Sequence, residues 1–69
     1  MPRYYVNKNA QDNGDHEVHK TVDCPTPANE ENRLYLGNFD TCREAVREAK
    51  RHYPQSNGCA NCSPDCHTG

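Results

Sequence analysis

The cysteines near the C-terminus have the type and spacing of metal ligands. They occur as Cys59-x-x-Cys62-x-x-x-Cys66-His67. In a Cys-x-x-Cys turn both sulfurs can face one ion, and zinc prefers four nitrogen or sulfur ligands in a tetrahedron. The spacing therefore predicts a zinc site built from Cys59, Cys62, Cys66 and His67. Four protein ligands leave no position for water, so this zinc would be structural.

One feature of this set favours a ligand from elsewhere in the chain. Cys66 and His67 are adjacent in the sequence, and both would have to turn toward the same ion. A ligand from the rest of the chain would also tie the C-terminal segment to it. The candidates are Cys24, Cys42, His16 and His19. Among these we expect Cys24 to be the outside ligand, with Cys42 as the other cysteine available.

Two other interpretations of the same cysteines remain open. Cys24 and Cys42 could form a disulfide, with further bridges in the tail, and each bridge would contribute about 2–4 kcal/mol. Because five cysteines is an odd number, at least one thiol would be left over. A redox role for Cys59-x-x-Cys62 is less favoured, because such a pair normally opens a helix and no helix is expected after it.

The chain is short and poor in large apolar residues. It has 69 residues, of which 32% are hydrophobic, with no tryptophan and one phenylalanine. A core of this size contributes only about 3–5 kcal/mol, so a metal would decide whether the chain folds. We expect one small domain over residues 1–69, with a body at 1–54 and a cysteine-rich tail at 55–69 folded back on it. No catalytic constellation is evident, and we expect a protein that is not an enzyme.

Charge and hydropathy each argue against one class of function. The net charge is −2, whereas nonspecific nucleic-acid binding usually needs a basic balance. No apolar run approaches the roughly 20 residues that span a bilayer. The first residues lack the apolar segment of a secretory signal. We therefore expect a cytoplasmic protein, in which clustered cysteines are more often metal ligands than disulfides.

Three segments are typical of β-strands. Residues 3–7 and 33–36 are rich in aromatic and branched side chains, and residues 16–22 alternate apolar with polar positions. The Asn13-Gly14 pair between the first two strands favours a hairpin turn.

The strongest local pattern is a helix over residues 41–53. Thr41-x-x-Glu44 resembles a capping box, and Pro54 would stop the helix. One helix face is apolar and carries Cys42, Ala45, Val46, Ala49 and Tyr53. Together these elements predict an α+β fold, β-β-β-α, in which one helix packs on one face of an antiparallel three-stranded sheet.

Side-chain alternation places the remaining polar and aromatic residues. His16 and His19 lie on opposite faces of their strand, so they cannot chelate together, and we expect both to be exposed. Tyr5 and Tyr35 are expected to form a cross-strand pair on the sheet face opposite the helix.

The outer face of the helix is basic and suggests a second function. A ridge of cations could lie along a phosphate backbone, which would make the protein a nucleic-acid binder. Pairing of Glu48 with Arg51 and of Glu44 with Arg47 favours an ordinary solvated face instead. The four basic residues are Arg43, Arg47, Lys50 and Arg51.

Several segments resemble a group of short bacterial proteins of uncharacterised function. The resemblance is carried by the stretches at 4–11, 13–19 and 32–37 and by Tyr53-Pro54 onward to Cys66-His67-Thr68. It covers nearly the whole chain but implies no activity. Members of the group have a further cysteine after the Cys-x-x-Cys pair, where this chain has Ser63. This departure implies either that position 63 is not an obligatory ligand or that the site of this chain differs from that of the group.

The sequence as a whole favours a small, non-enzymatic, zinc-stabilised interaction or regulatory module with a protein partner. Nucleic-acid binding through the basic helix face is the first alternative. A disulfide-stapled or thiol-redox protein is the second.

Overall fold

The computed structural model describes residues 2–12, 14–22, 24–25 and 27–67. Four strands and one α-helix make up the fold, in the order β1 (Arg3–Asn7), β2 (His16–Lys20), β3 (Arg33–Asn38), α1 (Cys42–Ala49) and β4 (Ser56–Gly58). Two 3-10 turns, Glu30–Asn32 and Pro64–Cys66, precede β3 and follow β4. The predicted α+β class is confirmed. Asn13 of the predicted hairpin turn lies outside the described residues.

The sheet has four strands in the order β3-β1-β2-β4. β1 pairs antiparallel with both β2 and β3, whereas β4 runs parallel to β2. The prediction of three strictly antiparallel strands is therefore wrong. The additional strand, Ser56–Gly58, has no branched or aromatic side chain, so its pairing with β2 is not visible as a strand pattern.

A bulge in β3 shifts its register against β1 by one residue. Tyr5 lies opposite Tyr35 but Tyr4 lies opposite Gly37, so Leu36 is the additional residue. Gly37 has a φ of 118°, a conformation that other residues rarely adopt. The bulge lets β3 continue to Asn38, two residues beyond the predicted end.

The helix begins where the sequence predicts and ends earlier. Thr41 is the N-cap, and its side-chain oxygen accepts a hydrogen bond from the Glu44 N–H at 3.4 Å. α1 ends at Ala49, and a tighter turn follows in which the His52 N–H donates to the Ala49 carbonyl. No described helix is long and apolar enough to cross a membrane.

The hydrophobic core lies between α1 and one face of the sheet. Ala45 and Ala49 are fully buried against Tyr4, Val6 and Val18. These small side chains let the helix lie close to β1 and β2. Among the described residues, no α-helix packs on the opposite face of the sheet, where Cys24 contacts His19 and Ala28 contacts Tyr5. That second face carries the candidate site.

Candidate metal centre

Four potential metal ligands converge at one place in the fold. The ligand atoms of His19, Cys24, Cys59 and Cys62 all lie within 4.8 Å of one another. His19 Nδ1 is 3.4 Å from Cys24 Sγ and 3.7 Å from Cys62 Sγ. Cys24 Sγ is 3.9 Å from Cys59 Sγ. The cluster thus joins β2, the segment after it and the turn after β4.

These distances match the edges of a zinc tetrahedron. With zinc–sulfur bonds of about 2.3 Å and zinc–nitrogen bonds of about 2.0 Å, tetrahedral geometry puts sulfur pairs about 3.8 Å apart and sulfur–nitrogen pairs about 3.5 Å apart. The three distances above agree with those values to within a few tenths of an ångström. Three thiols and one imidazole also form a ligand set that zinc favours.

The strand β2 presents His19 to the cluster, and two neighbours orient its ring. The Tyr5 ring stacks on it with centroids 5.2 Å apart. The Glu17 carboxylate lies 3.7 Å from His19 Nε2, on the side away from the sulfurs. A carboxylate there favours a proton on Nε2, which leaves the Nδ1 lone pair for a metal.

The segment that carries Cys24 is held to the sheet through Ala28. The Ala28 N–H donates to the Tyr5 hydroxyl oxygen at 3.0 Å, and Arg33 Nε–H donates to the Ala28 carbonyl at 3.0 Å. The Arg33 guanidinium also lies over the Tyr5 ring, 4.6 Å from its centroid. The predicted Tyr5–Tyr35 pair is confirmed, with ring centroids 6.0 Å apart. Tyr5 thus contacts both the loop and the histidine of the site.

The Cys-x-x-Cys turn directly follows the strand β4, which positions it beside β2. The Cys59 N–H donates to the Val18 carbonyl at 2.9 Å, which extends the pairing of β4 with β2 up to the first ligand. The Asn61 N–H donates to Cys59 Sγ and the Lys20 N–H donates to Cys62 Sγ, each at 3.4 Å. Backbone amides aimed at sulfur partly neutralise thiolates, as a metal-binding turn requires.

Burial shifts the pKa values of two residues in the cluster. It raises the pKa of the Cys62 thiol to about 12, with the Cys24 sulfur adding to the shift. Burial also lowers the pKa of His19 below its usual value. Both shifts favour neutral groups. A divalent cation would therefore supply the positive charge that lets the thiols bind as thiolates, with release of their protons.

The structure places the other predicted ligands differently. Cys66 forms a disulfide with Cys42, with a Cα–Cα distance of 6.1 Å. His67 Nδ1 lies 3.0 Å from the Gly58 carbonyl oxygen. The cluster therefore keeps Cys59 and Cys62, takes Cys24 as the outside ligand, and uses His19 in place of the Cys66–His67 pair. The bridge considered between Cys24 and Cys42 is not the one formed.

His19 is the member of the cluster whose environment differs most from the prediction. It is 1% exposed, whereas we expected exposed histidines. His16 does lie on the other face of β2, where its ring stacks on Tyr53 at 4.1 Å. His19 lies opposite Tyr5 in the β1–β2 pair, so both rings are on the same face of the sheet. Cys24 contacts His19 on that face. The alternation of side chains along β2 was therefore the sequence feature that could have placed His19 there.

The basic residues of the alternative function lie on the exposed side of α1. Arg51 pairs with Glu48 at 3.2 Å, as predicted. The remaining cations, Arg43, Arg47 and Lys50, are all exposed. This arrangement leaves them open to an anionic partner.

Gly58 gives the first testable prediction. A Cβ there would lie 2.7 Å from Cys66 Cβ and 2.9 Å from the Ser63 carbonyl oxygen. We expect Gly58→Ala to push the turn after β4 away from the sheet and to cost about 1–3 kcal/mol of unfolding free energy. Urea denaturation of the metal-loaded protein measures the loss. The control is Ala60→Ser at an exposed position, and equal stability of the two variants would refute the tight approach.

In comparisons with known proteins, no family model, no curated protein and no solved structure matches the chain.

Proposed function

We propose that the chain is a small zinc-stabilised interaction module in which one structural zinc ion is held by His19, Cys24, Cys59 and Cys62. The observation that carries the proposal is the convergence of four ligand atoms within 4.8 Å of one another, with three of their distances at the edge lengths of a zinc tetrahedron. The four residues come from three separated segments, so the ion would close the fold across the second face of the sheet.

A structural rather than catalytic role follows from the ligand set. Catalytic zinc keeps a position for water or substrate, whereas four protein ligands fill the tetrahedron. His19 and Cys59 are each 1% exposed and Cys62 is 5% exposed. Four protein ligands would leave a substrate no position on the ion itself. We therefore propose a protein that acts by binding and not by catalysis.

The partner that best suits this fold is another protein. β3 is an outer strand of the sheet, and its residue Tyr35 is 48% exposed. An extended peptide can add to such an edge through main-chain hydrogen bonds, with an exposed aromatic ring supplying apolar contact. The zinc would keep the sheet rigid enough to present that edge.

Cobalt substitution tests the metal proposal directly. Co²⁺ bound by three thiolates and one imidazole gives strong charge-transfer and tetrahedral ligand-field absorption. We expect this spectrum at one equivalent, and we expect Cys24→Ser and His19→Gln to weaken binding by at least tenfold. His16→Gln is the matched control in the same strand and should bind as the parent does. Equal behaviour of the two histidine variants would overturn the ligand assignment.

Tyr5 provides a milder prediction about the support of the site. Tyr5→Phe keeps the ring that stacks on His19 but removes the oxygen that accepts from the Ala28 N–H. We expect a loss of about 1 kcal/mol and a several-fold lower zinc affinity, since the Cys24 segment loses one anchor. Zinc competition with a chromophoric chelator measures the affinity. Tyr53→Phe, at a ring that stacks on His16 on the other face of the sheet, is the control, and an equal effect there would contradict the role of Tyr5.

A further inference from the structure

The Cys42–Cys66 disulfide lies between two open grooves. It joins the first residue of α1 to the turn Pro64–Cys66, and both cysteines are only partly buried. One groove, of about 520 Å³, is lined by both cysteines, by Lys20, Arg43, Asp40 and Asp65, and by Ser63 and the proposed zinc ligand Cys62. The second, of about 410 Å³, is lined by Cys66, by three helix cations and by Asp65. A small molecule can therefore reach the sulfur–sulfur bond from either side.

Positive charge exceeds negative charge around this bond because of the smaller groove, which has three cations and one carboxylate, whereas the larger groove has two of each. The two grooves are lined by four of the chain's eight basic residues and only two of its ten acidic ones, although the net charge is −2. Among the described residues, no carboxylate lies within ion-pairing distance of any of the four. The cations are Lys20, Arg43, Arg47 and Lys50. Such a surface attracts a small anion and raises its local concentration.

The two sulfurs are not equivalent as leaving groups. Cys42 directly follows the N-cap Thr41, so its sulfur lies at the positive end of α1 with Arg43 beside it in sequence. Partial positive charge from the helix terminus and a neighbouring guanidinium stabilise a thiolate at that position. Cys66, in the turn after β4, has no helix terminus of this length to stabilise it. Cleavage that releases Cys42 as the thiolate is therefore favoured.

A separate observation points to a ligand in the larger groove. Ser63 lines that groove, is 2% exposed, and has a buried hydroxyl with no hydrogen-bond partner among the described residues. Buried hydroxyls are nearly always hydrogen-bonded, so one without a protein partner indicates a polar group supplied from outside. A carboxylate or sulfonate on the incoming molecule would accept that hydrogen bond.

We propose that Cys42–Cys66 is a thiol–disulfide exchange site for small anionic thiols. The thiolate of the anionic thiol attacks Cys66 Sγ, a mixed disulfide forms there, and the Cys42 sulfur leaves with the electron pair as a thiolate. A second molecule of the thiol then attacks the mixed disulfide. The thiol is oxidised to its own disulfide and Cys66 is released, so two electrons have passed to the protein. This site shares no sulfur with the zinc cluster and goes beyond the proposed structural role.

The rate of reduction by two thiols of similar size tests the proposal. The zinc-loaded full chain is treated with 2-mercaptoethanesulfonate, which is anionic, or with 2-mercaptoethanol, which is neutral, and reduced cysteines are alkylated and counted by mass. After correction for thiolate concentration, we expect the anionic thiol to react roughly tenfold faster at low salt, with the advantage lost at high salt. Arg43→Gln should lower the anionic rate alone. Arg51→Gln, which changes a cation paired with Glu48, is the control and should not.

The position of the trapped mixed disulfide is a second readout. Quenching early in the reaction should show the small thiol on Cys66 and a free, alkylatable Cys42. Equal rates for the two thiols, no effect of salt, or the mixed disulfide on Cys42 would each overturn the proposal. Reduction that occurs only at the rate of global unfolding would overturn it as well, because the grooves would then give no access in the folded protein.

Discussion

Cys59→Ser is expected to abolish zinc binding and with it the folded state. Cys59 is 1% exposed, and its sulfur lies 3.9 Å from Cys24 Sγ in the ligand cluster. Structural zinc contributes about 10–16 kcal/mol to small peptides, several times the roughly 3–5 kcal/mol available from a core of this size. The same loss is expected when a strong chelator removes the metal from the parent protein without reductant. Circular dichroism during a zinc titration measures both effects.

The matched control for this variant is Ala60→Ser, one residue along the same turn and exposed. It should keep the parent spectrum and one zinc per chain. If Cys59→Ser or the chelated parent keeps the full folded spectrum, the metal is not what holds the second face of the sheet together.

Removing the Cys42–Cys66 disulfide is expected to lower stability while leaving the metal site in place. The bridge closes a loop with a sequence separation of 24 residues, and a loop of that length restricts the unfolded chain by about 3–4 kcal/mol. Neither sulfur belongs to the zinc cluster. The double variant Cys42→Ser, Cys66→Ser should therefore bind one zinc but unfold at markedly lower urea. Denaturation in saturating zinc measures the difference.

This experiment also separates the two possible roles of Cys66. Loss of zinc stoichiometry in a double variant that remains folded would show that Cys66 or Cys42 is a metal ligand. The single variants in His67 and His19 add a check, since only His19→Gln should weaken zinc binding.

The elements that could be predicted are those encoded by residues within the element itself. β1 follows from a run of aromatic and branched residues, and the start of α1 follows from the Thr41 cap and the apolar stripe behind it. β4 could not be predicted in this way. Its residues, Ser56–Gly58, have low strand propensity and pair with β2 only because the chain returns from α1 beside it.

The candidate site likewise has one part that the sequence predicts and one part that it does not. The Cys59-x-x-Cys62 pair is visible from spacing, because both cysteines belong to one turn, in which the Asn61 N–H donates to Cys59 Sγ. Cys24 and His19 reach the cluster only through long-range pairing. Their place depends on Tyr5, which stacks on His19 and anchors the Cys24 segment through Ala28. No spacing rule contains that information.

One chain is expected to hold a zinc ion and a disulfide at the same time, on different cysteines. Native mass spectrometry of the protein purified without reductant or chelator, followed by alkylation and peptide mapping, tests this most directly. We predict one zinc per chain, a Cys42–Cys66 bridge, and alkylation of Cys24, Cys59 and Cys62 only after the metal is removed. A metal-free chain in which Cys24, Cys59 or Cys62 takes part in a second disulfide would contradict it.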